Sequence, residues 1–167
     1  MERILRRFTF YYQEFIFRNT HVKNVVFWFA LTYFLYSILL FVVIPDLMNY
    51  TGGNPVFNIM PFGYTSDYVD SLLHRMGEQG RHAYLYHLIP VDLFFPFLFA
   101  YSNFILTGYL LGRLEALRGG FIYLCLLPVF ASWFDYLENL GVMAMLVSYP
   151  NGSNALIQFS DFFSVTK

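Results

Sequence analysis

Hydrophobic residues in this chain are concentrated in three long runs, and each run predicts a membrane-spanning helix. Residues 25–44 contain no charge over 20 positions, and about 20 apolar residues are needed to cross a bilayer as a helix. Residues 88–111 are predominantly apolar, with Asp92 as their one charged residue, and contain two prolines, which membrane helices tolerate when neighbours satisfy the freed carbonyls. Residues 121–147 are long enough to cross with tilt. The sequence therefore predicts an all-α membrane bundle with three transmembrane helices.

The segments outside these runs predict helices that lie at the membrane surface. Residues 1–23 mix basic and aromatic side chains, which favours an interfacial helix whose arginines meet anionic headgroups; a helix that docks onto a partner is the alternative. In the first loop, residues 45–87, apolar residues follow helical spacing from Ser66 to Met76, with Ser66 as the predicted N-cap. We expect a short amphipathic helix on the outer face, a break at Gly77, and a direct continuation into the second span.

The distribution of lysine and arginine predicts the orientation. Seven of the ten basic residues lie in the N-terminal segment or the second loop, and three lie in the first loop or the tail. Because cytoplasmic loops carry the excess of positive charge, we expect the N-terminus in the cytoplasm and the first loop and tail outside. Acceptor sequons at Asn49 and Asn151 fall on the predicted outer side. The tail, residues 148–167, is too short to span, so either it lies on the surface or the natural protein continues into a fourth helix.

Composition supports a single membrane domain over residues 1–167. The chain is 57% hydrophobic and 22% aromatic but only 13% charged, whereas soluble domains are about 25% charged. A soluble fold of about 150 residues buries only about 70% of the surface its chain exposes, so a bilayer accounts better for this apolar content. The net charge of −1 gives no indication of nucleic-acid binding. The lone Cys125 cannot form an internal disulfide and is interpreted as a small buried hydrophobe.

Three acidic residues inside the predicted spans, Asp92, Asp135 and Glu138, are the most informative candidates for function. An ionised acid at mid-bilayer costs about 2.5–3.5 kcal/mol on insertion scales, and the spans contain no lysine or arginine to offset it. Helical spacing places Asp135, Glu138 and Asn139 within about a third of the helix circumference, and Asp92 reaches a similar depth. We predict one polar intramembrane site, to which the spans also contribute Asn139, Tyr33, Tyr36, Ser37 and Asn103.

Several interpretations of these acids stay open at this point. They are held neutral by protonation, or paired with Arg81, His82 or His87 from the outer rim, or bound to a cation, a protonated amine or a proton chain. The packing alternatives are an acid favoured by the macrodipole at a helix start for Asp92, and an interhelical hydrogen-bond clamp for the group on the third span.

Cofactor chemistry is not indicated. All four histidines lie outside the predicted hydrocarbon core, which argues against haem, and a HExxH zinc motif is absent from the sequence. We therefore predict no cofactor and no metal, and leave catalytic residues unassigned.

Four short motifs carry a resemblance to a known family. GYT (63–65), GEQGR (77–81), PVDLFFP (90–96) and FDYLEN (134–139) together resemble a family of small polytopic bacterial membrane proteins that has no assigned activity. The resemblance implies a helical bundle with a polar centre, and a fourth helix after FSVTK (163–167). The sterol isomerase and sigma-2 receptor group, which also holds ligands with acids inside a small bundle, is a fold-level analogy only.

Three functions fit these observations, and the bilayer is the partner common to all. The first is a non-enzymatic accessory or scaffolding component of a membrane complex, which the small size and aromatic spans favour. The second is a lipid- or amine-binding protein, or a lipid-modifying enzyme, with a pocket between the second and third spans. The third is a proton or cation conduit, which needs a homo-oligomer. A pocket walled by Asp92, Glu138 and Tyr36 would favour the second over the first.

Overall fold

The computed structural model describes residues 11, 14–16, 18–114 and 120–166, and the regular elements in these ranges are helical. The α-helices are α1 (Val22–Ile38), α2 (Ile44–Met48), α3 (Ser66–Ala83), α4 (Ile89–Arg113), α5 (Leu127–Ser148) and α6 (Asn154–Thr166). In the described ranges, three helical stretches are long and apolar enough to cross a membrane: Val22–Thr51, Ser66–Arg113 and Phe121–Ser148. The predicted all-α bundle with three spans is thus confirmed, and the chain is an integral membrane protein.

The first two spans each contain a π-helical turn just before a proline. Leu39–Val43 precedes Pro45, and Tyr84–Leu88 precedes Pro90. Proline lacks an N–H and its ring clashes with the carbonyl four residues earlier, so the wider turn makes room without ending the helix. The helical path therefore continues past Pro45 to Thr51, beyond the apolar run that predicted the span.

The amphipathic helix predicted in the first loop is α3, with two differences from the prediction. Its N-cap is Thr65 rather than Ser66, because the Thr65 hydroxyl accepts a hydrogen bond from the Tyr68 N–H at 3.3 Å. Its apolar stripe, which includes Leu72 and Met76, is buried in the protein's own core rather than in lipid. The break at Gly77 occurs where it is predicted, with φ 61° and ψ −172°.

The first loop and the tail both pack into the bundle. Val56 and Phe57 in the loop are buried, and α6 lies along α5, with Ser160 in contact with α5. A Cβ atom at Gly141 of α5 would come within 2.6 Å of the Ser160 Cβ, so the close approach of the two helices requires glycine. A tail that lies on the outer surface does not fit this packing.

The core has two parts. The larger cluster lies at the end of the bundle that holds α3 and residues 52–65, here called the loop end, and gathers side chains from α2 to α6. The smaller cluster is formed around α4 by Ile16, Val25, Phe104, Ile105, Leu111, Ile122 and Cys125. Cys125 is buried, as predicted. Most of the predicted interfacial helix over residues 1–23 lies outside the described residues, but Ile16 is fully buried against Gly108.

Candidate functional site

A cleft of about 460 Å³ runs along α4 on the side where α1 and α5 flank it. The central helix α4 packs against both neighbours, whereas α1 and α5 have little direct contact within the described ranges. The cleft is therefore a lateral groove that opens between two membrane-spanning helices. Its lining is largely aromatic and aliphatic, and its polar members are Asn58, Asp92, Ser132 and Asp135.

Asp92 is one of two buried polar residues of this lining, with 6% of its surface exposed, beside Ser132 with 4%. The helix does not begin at Pro90, since the chain runs helically from α3 into α4. The interpretation of Asp92 as an acid at a free helix start is therefore wrong. Instead, Asn58 Nδ2 donates a hydrogen bond to Asp92 Oδ2 at 2.6 Å, and the Tyr84 hydroxyl donates to Asn58 Oδ1.

The loop brings Asn58 to the cleft because its neighbour Phe57 is anchored in the core. Phe57 is 1% exposed and packs between the rings of Tyr64 and Tyr84, with centroid distances of 4.9 and 6.0 Å. The Tyr68 hydroxyl donates to the Pro55 carbonyl at 2.6 Å. A buried aromatic side chain thus fixes a short 3₁₀ turn that places the amide of Asn58 against Asp92.

Asn139 has a packing role that follows from Pro96. A proline inside a helix removes the N–H that would bond the carbonyl four residues earlier, which here is that of Asp92. Asn139 Nδ2 on α5 donates to this carbonyl at 3.4 Å, and the Tyr136 hydroxyl donates to the next one, Leu93, at 3.0 Å. These contacts support the interhelical clamp that the sequence offers as an alternative for Asn139.

Asp135 and Glu138 lie in different surroundings although both are on α5. Asp135 is half-buried and lines the cleft. Glu138 is 1% exposed and lies outside the cleft lining. Its carbonyl oxygen accepts a hydrogen bond from Ser160 of α6 at 3.3 Å, and its carboxyl group lies within electrostatic range of the buried Tyr84 and Tyr64.

Tyr64 connects the loop to α6 beside Glu138. Its hydroxyl shares a 2.6 Å hydrogen bond with Ser160 Oγ, and its backbone N–H donates to Asp161 Oδ1 at 2.7 Å. Burial raises the pKa of the Tyr64 phenol well above its usual value. The hydrogen bond shared with Ser160 acts in the opposite direction, and the electrostatic interactions with Glu138 and Asp161 reinforce the rise. The phenol is therefore neutral over the physiological range of pH.

Two of the four remaining predicted site residues line the cleft. Tyr33 and Tyr36 contribute to its α1 wall, and the Tyr36 ring stacks on Phe95 at 5.1 Å. Ser37 is exposed and donates to the Tyr33 carbonyl at 2.8 Å. Asn103 donates to the Phe99 carbonyl at 3.0 Å, further along α4. Neither Ser37 nor Asn103 belongs to the cleft lining.

The predicted counter-ions make their described contacts elsewhere. Arg81 donates to the Leu73 carbonyl at 3.0 Å and lies over the Tyr149 ring, 4.7 Å from its centroid. His82 packs on the Tyr86 ring with a centroid distance of 4.3 Å, and His87 is exposed. Among the described residues that line the cleft there is no lysine, arginine or histidine.

Sequence reasoning missed Asn58, Tyr84 and Ser132. Asn58 lies in a turn-rich loop, where a polar residue is ordinary. Tyr84 lies in a segment that the sequence predicts only to continue into the second span. No local pattern indicates that either side chain reaches Asp92. Their roles emerge only from the long-range packing of the loop.

No protein-family model, curated protein or solved structure matches this chain. The family resemblance therefore stays a prediction. In the ranges that the structure describes, no group of three or more histidine, cysteine or acidic side chains is placed to hold a metal ion.

Proposed function

We propose that this protein is a membrane-embedded binding protein for an amphiphilic amine, which enters the cleft sideways from the bilayer. The observation that carries this proposal is the position of two carboxyl groups, Asp92 and Asp135, on one largely apolar and laterally open cleft. The pocket expected to favour ligand binding, walled by Asp92, Glu138 and Tyr36, is matched only in part. Asp92 and Tyr36 line the cleft, as does Asp135, but Glu138 does not.

The chemistry of the lining fits a cation with an apolar body. An ionised carboxyl group at membrane depth is costly. A protonated amine bound beside Asp92 and Asp135, which both line the cleft, offsets that cost with its positive charge. The stacked rings of Tyr36 and Phe95 add faces that attract cations, and the aliphatic walls accept an alkyl chain.

The size of the cleft is also in the range of ligand sites. Pockets for small molecules measure about 300–1,000 Å³ and are mostly apolar with a few placed polar groups. The cleft, at about 460 Å³, is large enough for the amine head and the first part of an alkyl chain.

Orientation is part of the proposal and rests on the distribution of positive charge. The first loop carries only two of the ten basic residues, Arg75 and Arg81, so the loop end faces outward under the positive-inside rule. The polar end of the cleft, with Asn58 and Asp92, is then nearer to the outer leaflet, from which the amine enters.

The other two functions have less support. A conduit would place its acids on the axis of an oligomer, whereas Glu138 is 1% exposed within a single chain. The accessory-subunit hypothesis stays a prediction. The exposed aromatic residues of the spans would suit a partner protein, but they suit contact with lipid equally well.

Equilibrium binding of a simple lipophilic amine tests the proposal. Tritiated N-propyldodecylamine is titrated into the protein in phosphatidylcholine nanodiscs. We expect saturable binding that weakens at least about tenfold, or roughly 1.4 kcal/mol, in Asp92→Asn and in Asp135→Asn. The matched control is Asp67→Asn, which removes one exposed acid in the first turn of α3 and leaves affinity unchanged.

Two outcomes would overturn the proposal. One is amine uptake that never saturates above the level of empty nanodiscs. The other is saturable binding with equal affinity in the wild type, both cleft variants and the control.

A further inference from the structure

We infer that Asn58, oriented by Tyr84, makes the cleft selective for amines that carry an oxygen acceptor beside the ammonium group, as an amino alcohol does. The inference rests on the proposed amine site and names the class of head group that it prefers. Asn58 is the residue that would contact the ligand, and Tyr84 is a positioning residue that acts through it.

The orientation of the Asn58 amide follows from its two neighbours. The Tyr84 side chain is fully buried and its hydroxyl donates to Asn58 Oδ1, while Asn58 Nδ2 faces Asp92 Oδ2 at 2.6 Å. A reversed amide would set its oxygen against the carboxylate, with acceptor facing acceptor. Tyr84 therefore fixes Asn58 as a donor at this end of the cleft.

One donor of the amide is then available to a ligand. An asparagine NH₂ group carries two N–H donors, and Asp92 is the acceptor that the group meets among the described residues. Asn58 itself lines the cleft and is half-buried. The second N–H is thus a donor in a cleft that also contains the carboxyl groups of Asp92 and Asp135, which accept hydrogen bonds when ionised.

Hydrogen-bond acceptors and a donor side by side in the cleft match a ligand head group that has both a donor and an acceptor. The ammonium group of the ligand donates to the carboxylates, and an oxygen two carbon atoms away accepts from Asn58. A plain alkylamine donates to the carboxylates but leaves the amide donor without a partner, and a donor that the bound ligand covers without replacing its hydrogen bond to water costs free energy.

A pair of probes that differ at one position tests the inference. N-dodecylethanolamine and N-propyldodecylamine have the same secondary amine and the same long chain, and a hydroxyl in the first replaces a methyl group in the second. In wild-type protein in phosphatidylcholine nanodiscs, we expect the amino alcohol to bind about threefold to tenfold more tightly, which corresponds to one net hydrogen bond.

Variants of the two residues should change this ratio rather than overall binding. In Asn58→Leu, which keeps a side chain of similar size, the ratio of the two affinities should fall to about one. In Tyr84→Phe, which keeps the ring, the ratio should also fall, while affinity for the plain amine stays within about twofold. Tyr86→Phe is the control, because Tyr86 is exposed and outside the cleft lining, and it should keep the wild-type ratio.

The outcomes separate this inference from the proposed function. Equal affinity of the two probes for the wild type, with saturable binding that depends on Asp92, overturns the inference and leaves the amine site intact. Failure of both probes to saturate overturns the proposed function. If Tyr84→Phe weakens the binding of both probes equally, Tyr84 is structural and its positioning role is wrong. If that variant does not fold, the ratio of the two affinities in Asn58→Leu decides whether the inference holds.

Discussion

Asp135 and Glu138 lie one turn apart on α5 but occupy two different regions of the protein. Asp135 is half-buried on a groove that opens toward the bilayer. Glu138 is sealed between α5, α6 and the first loop, with 1% of its surface exposed. Two acids within one helical turn can therefore lie in a closed helix interface and on an open groove, and their position along the span does not distinguish the two surroundings.

Helix geometry explains how the two residues separate. At 3.6 residues per turn, positions three apart differ by about 60° around the helix. The cleft and α4 lie on one side of α5, and α6 covers the adjacent side, where Gly141 lets Ser160 approach. A shift of about 60° is therefore enough to move a carboxyl group from the cleft into the packed interface.

The largest expected effect is on stability at the sealed position. Glu138→Ala should lower the free energy of unfolding by about 2–5 kcal/mol, since it leaves a cavity in a closed site. Asp135→Ala should change it by less than about 1 kcal/mol, because that side chain is half-exposed. Titration with sodium dodecyl sulfate, followed by circular dichroism, measures both. An equal decrease in the free energy of unfolding for both variants would contradict the distinction between the two regions.

A somewhat smaller effect is expected where α5 and α6 touch. Gly141→Ala should cost about 1–3 kcal/mol by overpacking against Ser160, because the added Cβ atom meets the Ser160 Cβ at 2.6 Å. The double variant Gly141→Ala with Ser160→Gly should recover part of that loss in the same titration. A Gly141→Ala protein as stable as the wild type would show that α6 does not pack closely at this level.

The smallest expected effect is a decrease in the free energy of unfolding at alkaline pH, caused by Tyr64, which packs beside Glu138. Its folded-state pKa lies above the unfolded value of about 10, so the stability it contributes is full below pH 10 and is lost as pH rises toward the folded-state value. Above pH 10, the wild type should lose up to about 1.4 kcal/mol per pH unit more than Tyr64→Phe.

The control for this pH series is Tyr86→Phe, an exposed tyrosine on the same end of the bundle. It should follow the wild-type curve. If Tyr64→Phe also follows the wild-type curve from pH 10 to pH 11, the burial of the phenol does not affect stability.

The spans and the break in α3 could be predicted from local sequence. Apolar runs of bilayer length predict the three crossings. Gly77 interrupts the helix with a positive φ, which glycine adopts more readily than any other residue. In each of these cases the determining interactions are local or depend on the bilayer alone.

The composition of the site could not be predicted in the same way. Asn58 reaches Asp92 because Phe57 is held between two distant aromatic rings, a contact that no periodic pattern reveals. Glu138 lies outside the cleft, on the side of α5 that α6 covers. The position of α6 could not be predicted from the sequence. Long-range packing, rather than helix propensity, decides which polar side chains meet.

The most direct test of the account is amine binding to two variants that remove one charge and keep the side-chain shape. N-propyldodecylamine is titrated into Asp135→Asn and Glu138→Gln protein in identical phosphatidylcholine nanodiscs. We expect affinity at least about tenfold weaker for Asp135→Asn and within about twofold of wild type for Glu138→Gln. Equal weakening in both variants, or unchanged affinity in Asp135→Asn, would contradict it.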